Sequence, residues 1–140
     1  MSKLEPGKMI YNNFGNSGLK VSAISLGNMI NYKAETYEED KKIIEVALKN
    51  GINHFDTAEI YAAGDSEIQL GKILKDLQVP REHVVIATKV HTAKDPERNS
   101  ERSTNRKHIR ESIKKSLDRL QMDYVDILYA HMYDWSTPLE

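Results

Sequence analysis

The chain has 140 residues, 39% hydrophobic and 29% charged, with 20 Lys and Arg against 21 Asp and Glu. This composition is typical of one ordinary globular domain, and its mixed charges offer no basic surface for nucleic acid or for anionic lipid. The absence of cysteine excludes disulfides, thiol nucleophiles and cysteine-ligated zinc. No apolar run approaches the roughly 20 residues that cross a bilayer, and the first residues lack a signal-like apolar stretch. We therefore expect a cytoplasmic protein without membrane insertion, with association to the cytoskeleton or to a membrane-protein complex left open.

The N-terminal part predicts a tail, a hairpin and one strand. The tail covers residues 1–8. Two short extended runs, at residues 9–14 and 19–24, flank a turn rich in Gly and Asn, which is the pattern of a β-hairpin. A short apolar run at residues 24–27 then predicts a buried strand, and an Asn-rich loop follows at residues 28–31.

Apolar residues at helical spacing predict two helices in the middle of the chain. The first starts at Thr36, because Thr36 and Glu39 have the spacing of a capping box, and it stops before Gly51. The second starts near Ser66, with Gln69 three residues later.

A third helix and three further strands complete the pattern. The helix starts near residues 103–105, and its predicted inner face consists of Ile109, Ile113, Leu117 and Leu120. The strands lie at residues 52–57, 84–90 and 124–131, and each ends in polar side chains.

Strict alternation of strands and helices predicts parallel strands joined by right-handed crossovers. The strand centres recur about every 30 to 40 residues, the length of βα units, which fits a doubly wound sheet or a (β/α)8 barrel. No Gly-x-Gly-x-x-Gly follows the first strand and no phosphate-loop lysine motif occurs, so the two common nucleotide-binding α/β folds lose support. The barrel is favoured.

Chemically capable residues lie at or just after the carboxyl ends of the predicted strands, where a (β/α)8 barrel builds its active site. They are Asp56, Tyr61, Lys89 and His131. Taken singly, an aspartate is often a helix cap, a tyrosine or lysine a solvated surface residue, and a strand-end histidine a hydrogen-bonded structural group. Their joint placement is what favours a functional role.

Sequence segments around these residues carry a family resemblance. They are residues 53–61 (NHFDTAEIY), 64–71 (GDSEIQLG), 86–90 (IATKV), 116–126 (SLDRLQMDYVD) and 137–140 (TPLE). Together they resemble the aldo-keto reductase superfamily, and the resemblance extends from Tyr11 onward over the N-terminal half of the family's barrel. Residues 61–64 and 105–109 are most similar to the potassium-channel β-subunit branch of that superfamily.

The resemblance implies reversible hydride transfer between NADPH and an aldehyde or ketone. A carbonyl that takes hydride at carbon develops negative charge on its oxygen, so a proton donor must stand beside that oxygen. Tyr61 is the implied donor, and Lys89 would stabilise the phenolate that remains. Asp56 would hold Lys89 in place and keep it charged, while His131 would orient the carbonyl oxygen through a hydrogen bond.

The resemblance also implies a cofactor site for NADP(H) and a small carbonyl substrate, without a metal. In the family, the loop after the first strand lies close to the nicotinamide ribose and pyrophosphate, and it corresponds here to Gly27, Asn28 and Met29, with Asp56 beside it. The family anchors the adenosine phosphate after its seventh and eighth strands, and its nicotinamide-stacking aromatic also belongs to the second half. Those parts lie outside this sequence.

Residues 9–140 are therefore expected to form a hairpin plus about four βα strands, the N-terminal half of a barrel. Such a half has two unpaired sheet edges, so we expect a protein partner or self-association to cover them. One hypothesis is a reductase whose missing strands come from a longer chain or a second polypeptide. The alternative is a catalytically silent, truncated half-barrel that serves as a structural or interaction subunit, or as an auxiliary subunit of a membrane channel. The presence of His131, where channel β-subunits often carry another residue, favours the reductase.

Overall fold

The N-terminal hairpin is present in the computed structural model, which describes residues 8–29, 34–91, 103–135 and 137–138. β1 (Tyr11–Asn13) pairs antiparallel with β2 (Lys20–Ser22), which confirms the predicted hairpin. The tail over residues 1–7, the end of the Asn-rich loop and the polar loop over residues 92–102 lie outside the described residues.

Strands β3 to β6 form one parallel sheet. They are β3 (Leu26–Gly27), β4 (His54–Asp56), β5 (Val85–Val90) and β6 (Ile127–Ala130). Each strand pairs with the next one along the chain, in the order β3-β4-β5-β6. Such a sequential parallel order is that of a barrel wall. The predicted barrel-type fold is confirmed, with four strands present.

The predicted helices are also present and cover one face of this sheet. They are α1 (Tyr37–Lys49), α2 (Asp65–Asp76) and α3 (Arg106–Leu120), with short 3-10 turns at Ala34–Thr36, Tyr61–Gly64 and Arg81–His83. The core between helices and sheet includes Ile44, Phe55, Leu70, Ile86 and Leu120. Within the described residues, no helix has the length and apolar character needed to cross a membrane.

Helices α1 and α2 start within one residue of the predicted positions, but their N-terminal capping differs from the predictions. Thr36 is the N-cap of α1, but the capping box does not form, because the Thr36 hydroxyl donates to Asp40 Oδ2 at 2.7 Å and makes no cap hydrogen bond. The 3-10 turn before it leaves Thr36 at φ −98° and ψ 6°, outside the extended conformation that an N-cap side chain usually needs. Helix α2 begins at Asp65 with Gly64 as its N-cap, so Ser66 lies inside the first turn, where its hydroxyl donates to the Asn28 carbonyl.

The predicted inner face of α3 is wrong for three of its four residues. Ile109, Ile113 and Leu117 are only half-buried, and Leu120 is fully buried. The buried side chains of α3 are His108, Ser112, Ser116 and Leu120. This face is polar because His108 bonds to the His91 carbonyl and Ser112 to the Glu59 carboxylate, and an apolar pattern cannot reveal such contacts.

The other face of the sheet is divided between the hairpin and an open region. At the amino ends of the strands, Val21 of the hairpin packs on Val85, Ala87 and Ile127. At the carboxyl ends, no described residue covers the same face, and a pocket opens there. Asp126, just before β6, accepts hydrogen bonds from the Ile86 N–H at 2.8 Å and from Arg81 Nη2 at 2.6 Å, and so fixes the start of β6 against β5.

Candidate active site

Asp56, Tyr61 and Lys89 meet at the uncovered end of the sheet. Lys89 Nζ donates to Asp56 Oδ2 at 2.6 Å, to the Thr57 carbonyl at 2.8 Å and to the Tyr61 hydroxyl oxygen at 3.1 Å. All three ammonium protons are therefore engaged. The Lys89 side chain is only 14% exposed, so its charge acts on the phenol oxygen with little screening by water.

The sheet explains this convergence. Asp56 pairs with Ala87 across β4 and β5, and Lys89 lies two residues further along β5. Since side chains alternate between the two faces of a strand, Ala87 and Lys89 point to the same side as Asp56. Tyr61 returns from the 3-10 turn that follows β4.

His131 joins the cluster from the end of β6. Its backbone N–H donates to the Val90 carbonyl at 2.9 Å, and its ring meets the Tyr61 ring edge-on, with centroids 5.6 Å apart. Among the described residues, no group hydrogen-bonds to the buried Nδ1 of His131. Burial, followed by the charges of Lys89 and His91, lowers the pKa of His131. The lowered pKa favours the neutral imidazole, and its ring packs directly against the Tyr61 ring.

Asp56, Lys89 and His131 border an open pocket of about 420 Å³, and Tyr61 contacts Lys89 and His131 beside it. Its lining consists of Ser25, Gly27, His54, Asp56, Lys89, Tyr129, Ala130 and His131. No group of His, Asp or Glu within the described part of the chain is arranged to hold a metal ion.

The proposed cofactor loop is only partly turned to this pocket. Gly27 lines it, and a Cβ added at Gly27 would meet no atom within 4 Å. Met29 is 57% exposed. Asn28, in contrast, is fully buried, and its Nδ2 donates to the carbonyls of Leu26 and Asp56 at 3.0 Å each. The Asn28 side chain therefore joins the ends of β3 and β4.

His54 is a pocket residue that the sequence did not single out for function. It lies two residues before Asp56 on β4, so the alternation of strand side chains could have placed it on the same face. Its buried Nε2 has no hydrogen-bond partner in the described ranges, and burial lowers the pKa of His54.

Glu59, next to the site, is a second residue that was not singled out from the sequence. Glu59 Oε1 accepts from the His91 N–H at 2.5 Å, Glu59 Oε2 accepts from the Ser112 hydroxyl, and the Glu59 N–H donates to the Lys89 carbonyl at 3.3 Å. Burial raises the pKa of Glu59. The spacing of residues in the sequence does not predict these contacts, because the partners of Glu59 come from the end of β5 and from α3.

Comparison with models of protein families shows to which family the chain belongs. The model of the Aldo/keto reductase family matches residues 23–140, which is most of the sequence. The chain belongs to the aldo/keto reductase family. This agrees with a parallel sheet whose carboxyl end carries the charged pocket, and with the family resemblance of the sequence.

Solved aldo-keto reductases superpose on this half-barrel. The thermostable aldo-keto reductase Tm1743, solved with the inhibitor epalrestat, is 30% identical with a TM-score of 0.79; the match covers 93% of this chain and 45% of that one. The holo form of aldo-keto reductase AKR11C1 from Bacillus halodurans is 30% identical with a TM-score of 0.69, covering 86% and 39%. An aldo-keto reductase from Klebsiella pneumoniae in complex with NADPH is 27% identical with a TM-score of 0.70, covering 85% and 38%. The chain thus spans less than half the length of these reductases.

Proposed function

We propose that this chain carries the proton-donating centre of an NADPH-dependent aldo-keto reductase that reduces aldehydes and ketones. The observation behind the proposal is the hydrogen-bonded arrangement in which Lys89 Nζ joins Asp56 at 2.6 Å and the Tyr61 hydroxyl at 3.1 Å. A phenol is a weak acid, and an adjacent ammonium stabilises the phenolate that forms when it gives up its proton.

The chemistry assigned to each side chain follows from charge. As a carbonyl carbon takes up hydride, negative charge grows on its oxygen, and Tyr61 transfers its hydroxyl proton to that oxygen. Lys89 then holds the phenolate by hydrogen bond and by charge. Asp56 fixes the ammonium and balances its charge. His131 lines the same pocket, and a protonated ring nitrogen of its imidazole would orient the carbonyl oxygen by donating a hydrogen bond to it.

The pocket has features that suit NADP(H), which supplies the hydride when bound. Gly27 leaves open space at the end of β3, next to Asp56. Together with the exposed Met29, these residues are our candidates for the nicotinamide side of the cofactor. Asn28 would act through its backbone, since its side chain is engaged with carbonyl groups. The Klebsiella pneumoniae relative was solved in complex with NADPH, which supports this cofactor.

We further propose that residues 9–140 work as one unit, after a tail of residues 1–8, with additional strands that complete the barrel. Within the described residues, β3 and β6 form the two edges of the sheet and each pairs on one side only. An open edge presents unpaired N–H and C=O groups and attracts another strand. The additional strands belong either to a longer chain or to a second polypeptide.

Consumption of NADPH in the presence of an aromatic aldehyde, 4-nitrobenzaldehyde, tests the reductase proposal. The assay uses the polypeptide that carries this sequence, purified from its natural source with all subunits that copurify. We expect aldehyde-dependent loss of NADPH absorbance. A preparation that binds NADPH but turns over neither this aldehyde nor a ketone such as cyclohexanone contradicts the proposal.

A second candidate is a catalytically silent half-barrel that serves as an interaction subunit. Exposed apolar side chains at and after β6 favour it: Leu128 is 40% exposed and Trp135 is 91% exposed. The similarity of residues 61–64 to potassium-channel β-subunits points to a membrane-protein complex as the setting. The intact mass of the natural polypeptide separates the candidates. A mass roughly double 16.0 kDa, as a full barrel of about 250 residues or more requires, favours the reductase, and a mass of 16.0 kDa favours the interaction subunit.

A further inference from the structure

The loop that carries Tyr61 has an unusual backbone. Ala62 (φ 49°, ψ 39°), Ala63 (φ 56°, ψ 28°) and Gly64 (φ 102°) follow one another with positive φ. Glycine adopts this region freely, whereas alanine rarely does, because its Cβ crowds the backbone. Two left-handed alanines directly after Tyr61 mean that contacts outside the turn must hold it in shape.

Glu59, two residues before Tyr61, makes such contacts. Its backbone N–H donates to the Lys89 carbonyl at 3.3 Å, and its carboxylate accepts from the His91 N–H at 2.5 Å and from the Ser112 hydroxyl. His91 and Ser112 are 8% and 1% exposed, so these bonds are shielded from water. Glu59 therefore ties the Tyr61 loop to the end of β5 and to α3 together.

The placement of these bonds links them to the site. Lys89 and His91 belong to the same strand end, and Lys89 Nζ reaches the Tyr61 hydroxyl at 3.1 Å. Fixing the loop to the backbone at both Lys89 and His91 fixes how far Tyr61 lies from the ammonium. Two backbone hydrogen bonds of the turn, from the Tyr61 N–H to the Ala58 carbonyl and from the Ala63 N–H to the Ile60 carbonyl, stay within the loop.

We propose that Glu59 is a positioning residue, which holds the Tyr61 hydroxyl against Lys89 by hydrogen-bonding the loop to β5 and α3. This inference rests on the proposed function, because it concerns the alignment of the proposed proton donor. The contact between Glu59 and its partners can itself be measured without reductase turnover.

Chemical labelling of the full chain measures the contact directly. Tetranitromethane nitrates accessible tyrosines and acetic anhydride acylates accessible amines, and peptide mass mapping reports the rates at Tyr61 and Lys89 separately. Glu59→Ala removes the carboxylate, and we expect both rates to rise by about tenfold or more, the effect of losing a buried hydrogen bond to a charged group. Glu59→Gln keeps an acceptor for the His91 N–H and a partner for Ser112, so it is expected to label like the parent chain.

Two further variants separate positioning from general stability. Asp126→Ala removes a comparable part-buried carboxylate that accepts the Ile86 N–H near the opposite end of β5, and it should leave labelling of Tyr61 and Lys89 unchanged. Ser112→Ala removes the hydrogen bond from α3 to Glu59 and leaves His108 Nε2 3.9 Å from the carboxylate, so it should give an intermediate increase. This variant also covers the case in which Glu59→Ala fails to fold by circular dichroism.

Equal labelling rates in the Glu59→Ala and parent chains would overturn the proposal. Equal increases in Glu59→Ala and Asp126→Ala would overturn it too, as would a Glu59→Gln chain that labels as fast as Glu59→Ala. If Ser112→Ala labels like the parent, the part played by α3 is wrong and the proposal falls with it. In the aldehyde assay, Glu59→Ala should lower kcat while KM for NADPH stays unchanged. If labelling follows these expectations but the chain has no reductase activity, the proposed function is wrong and the positioning role of Glu59 still holds.

Discussion

At the scale of single residues, the site depends on one ammonium shared by several partners. Lys89 and Asp56 have side chains 14% and 27% exposed, so each is costly to leave without the other. Their hydrogen bond at 2.6 Å is short enough for both charge and geometry to contribute. Thr57 and Tyr61 take the remaining protons, so the ammonium has no freedom to turn away.

A double-mutant cycle measures this dependence. Lys89→Met leaves Asp56 without its cation and should lower the free energy of unfolding by about 1–3 kcal/mol, less than for a fully buried pair because water reaches the carboxylate. Asp56→Asn in the same chain should recover part of the loss, since no unpaired charge remains. Urea unfolding of the parent, both single variants and the double variant gives the coupling. Strictly additive losses would show that the two side chains do not act as a pair.

The pocket histidines predict how stability depends on pH. Burial lowers the pKa of both His54 and His131, so at acidic pH the unfolded chain binds more protons than the folded one. Their contribution to stability is complete above about pH 6.5, the ordinary value for histidine, and is lost as the pH falls below it. Urea midpoints between pH 7.5 and pH 5 should fall less in His54→Asn and His131→Asn than in the parent. A slope that neither variant flattens would contradict this, and His83→Asn, at an exposed turn, provides the control.

At the scale of elements, the alternation of strands and helices was predictable, and most side-chain detail was not. The strand around Ile86 was predictable because its apolar residues face the helices on one side and the hairpin on the other. The polar face of α3 was missed, since Ser112 and His108 are buried by bonds to Glu59 and to the His91 carbonyl, which belong to distant segments. Apolar periodicity measures hydrophobic burial only.

The candidate site, too, was predictable from the sequence only in part. Asp56, Tyr61, Lys89 and His131 were predictable as a group, because all four lie at or just after the ends of parallel strands, and such ends meet at one edge of a barrel. The family resemblance supplied the individual roles, including the pairing of Asp56 with Lys89. The left-handed alanines Ala62 and Ala63 carry no signal in the sequence, because alanine normally indicates a helix.

Those alanines give a prediction for the Tyr61 turn. Ala62→Gly and Ala63→Gly relieve the crowding of a Cβ at positive φ, which exceeds the extra entropy that glycine loses on folding. Each should raise the free energy of unfolding by about 0.5–1 kcal/mol. Ala23→Gly, at an exposed alanine without positive φ, is the matched control and should be neutral or destabilising. Thermal and urea unfolding decide the matter, and a loss of stability in both turn variants would refute the strained conformation.

At the scale of the whole molecule, the chain presents half of a barrel wall. It spans 38% to 45% of the length of the solved reductases it matches. Along the edge strand β6, Leu128 and Tyr129 are 40% and 36% exposed, and Trp135 beyond it is 91% exposed. Within the described residues both sheet edges are open and apolar side chains are exposed, so we expect another strand or chain to pack against them.

Self-association of the isolated chain tests this expectation. Light scattering should give a mass above 16.0 kDa that rises with concentration. Leu128→Lys places a charge on the edge strand and should reduce the association, whereas Ile43→Lys, at a 50% exposed position on α1, should not. Trp135 is the sole tryptophan, so its fluorescence should shift to shorter wavelength as the edge becomes covered. A monodisperse 16.0 kDa monomer with cooperative unfolding would speak against the open-edge interpretation.

The most direct measurement of the central claim is kcat for aldehyde reduction by the Tyr61→Phe variant, made in the natural-length polypeptide with its copurifying subunits. Loss of the phenol proton should lower kcat by roughly 10²- to 10⁴-fold, the usual contribution of a general acid. NADPH affinity should remain nearly unchanged, because the phenyl ring keeps its packing against His131. Full turnover in Tyr61→Phe would show that the proton comes from elsewhere and that the cluster around Lys89 is not the reducing centre.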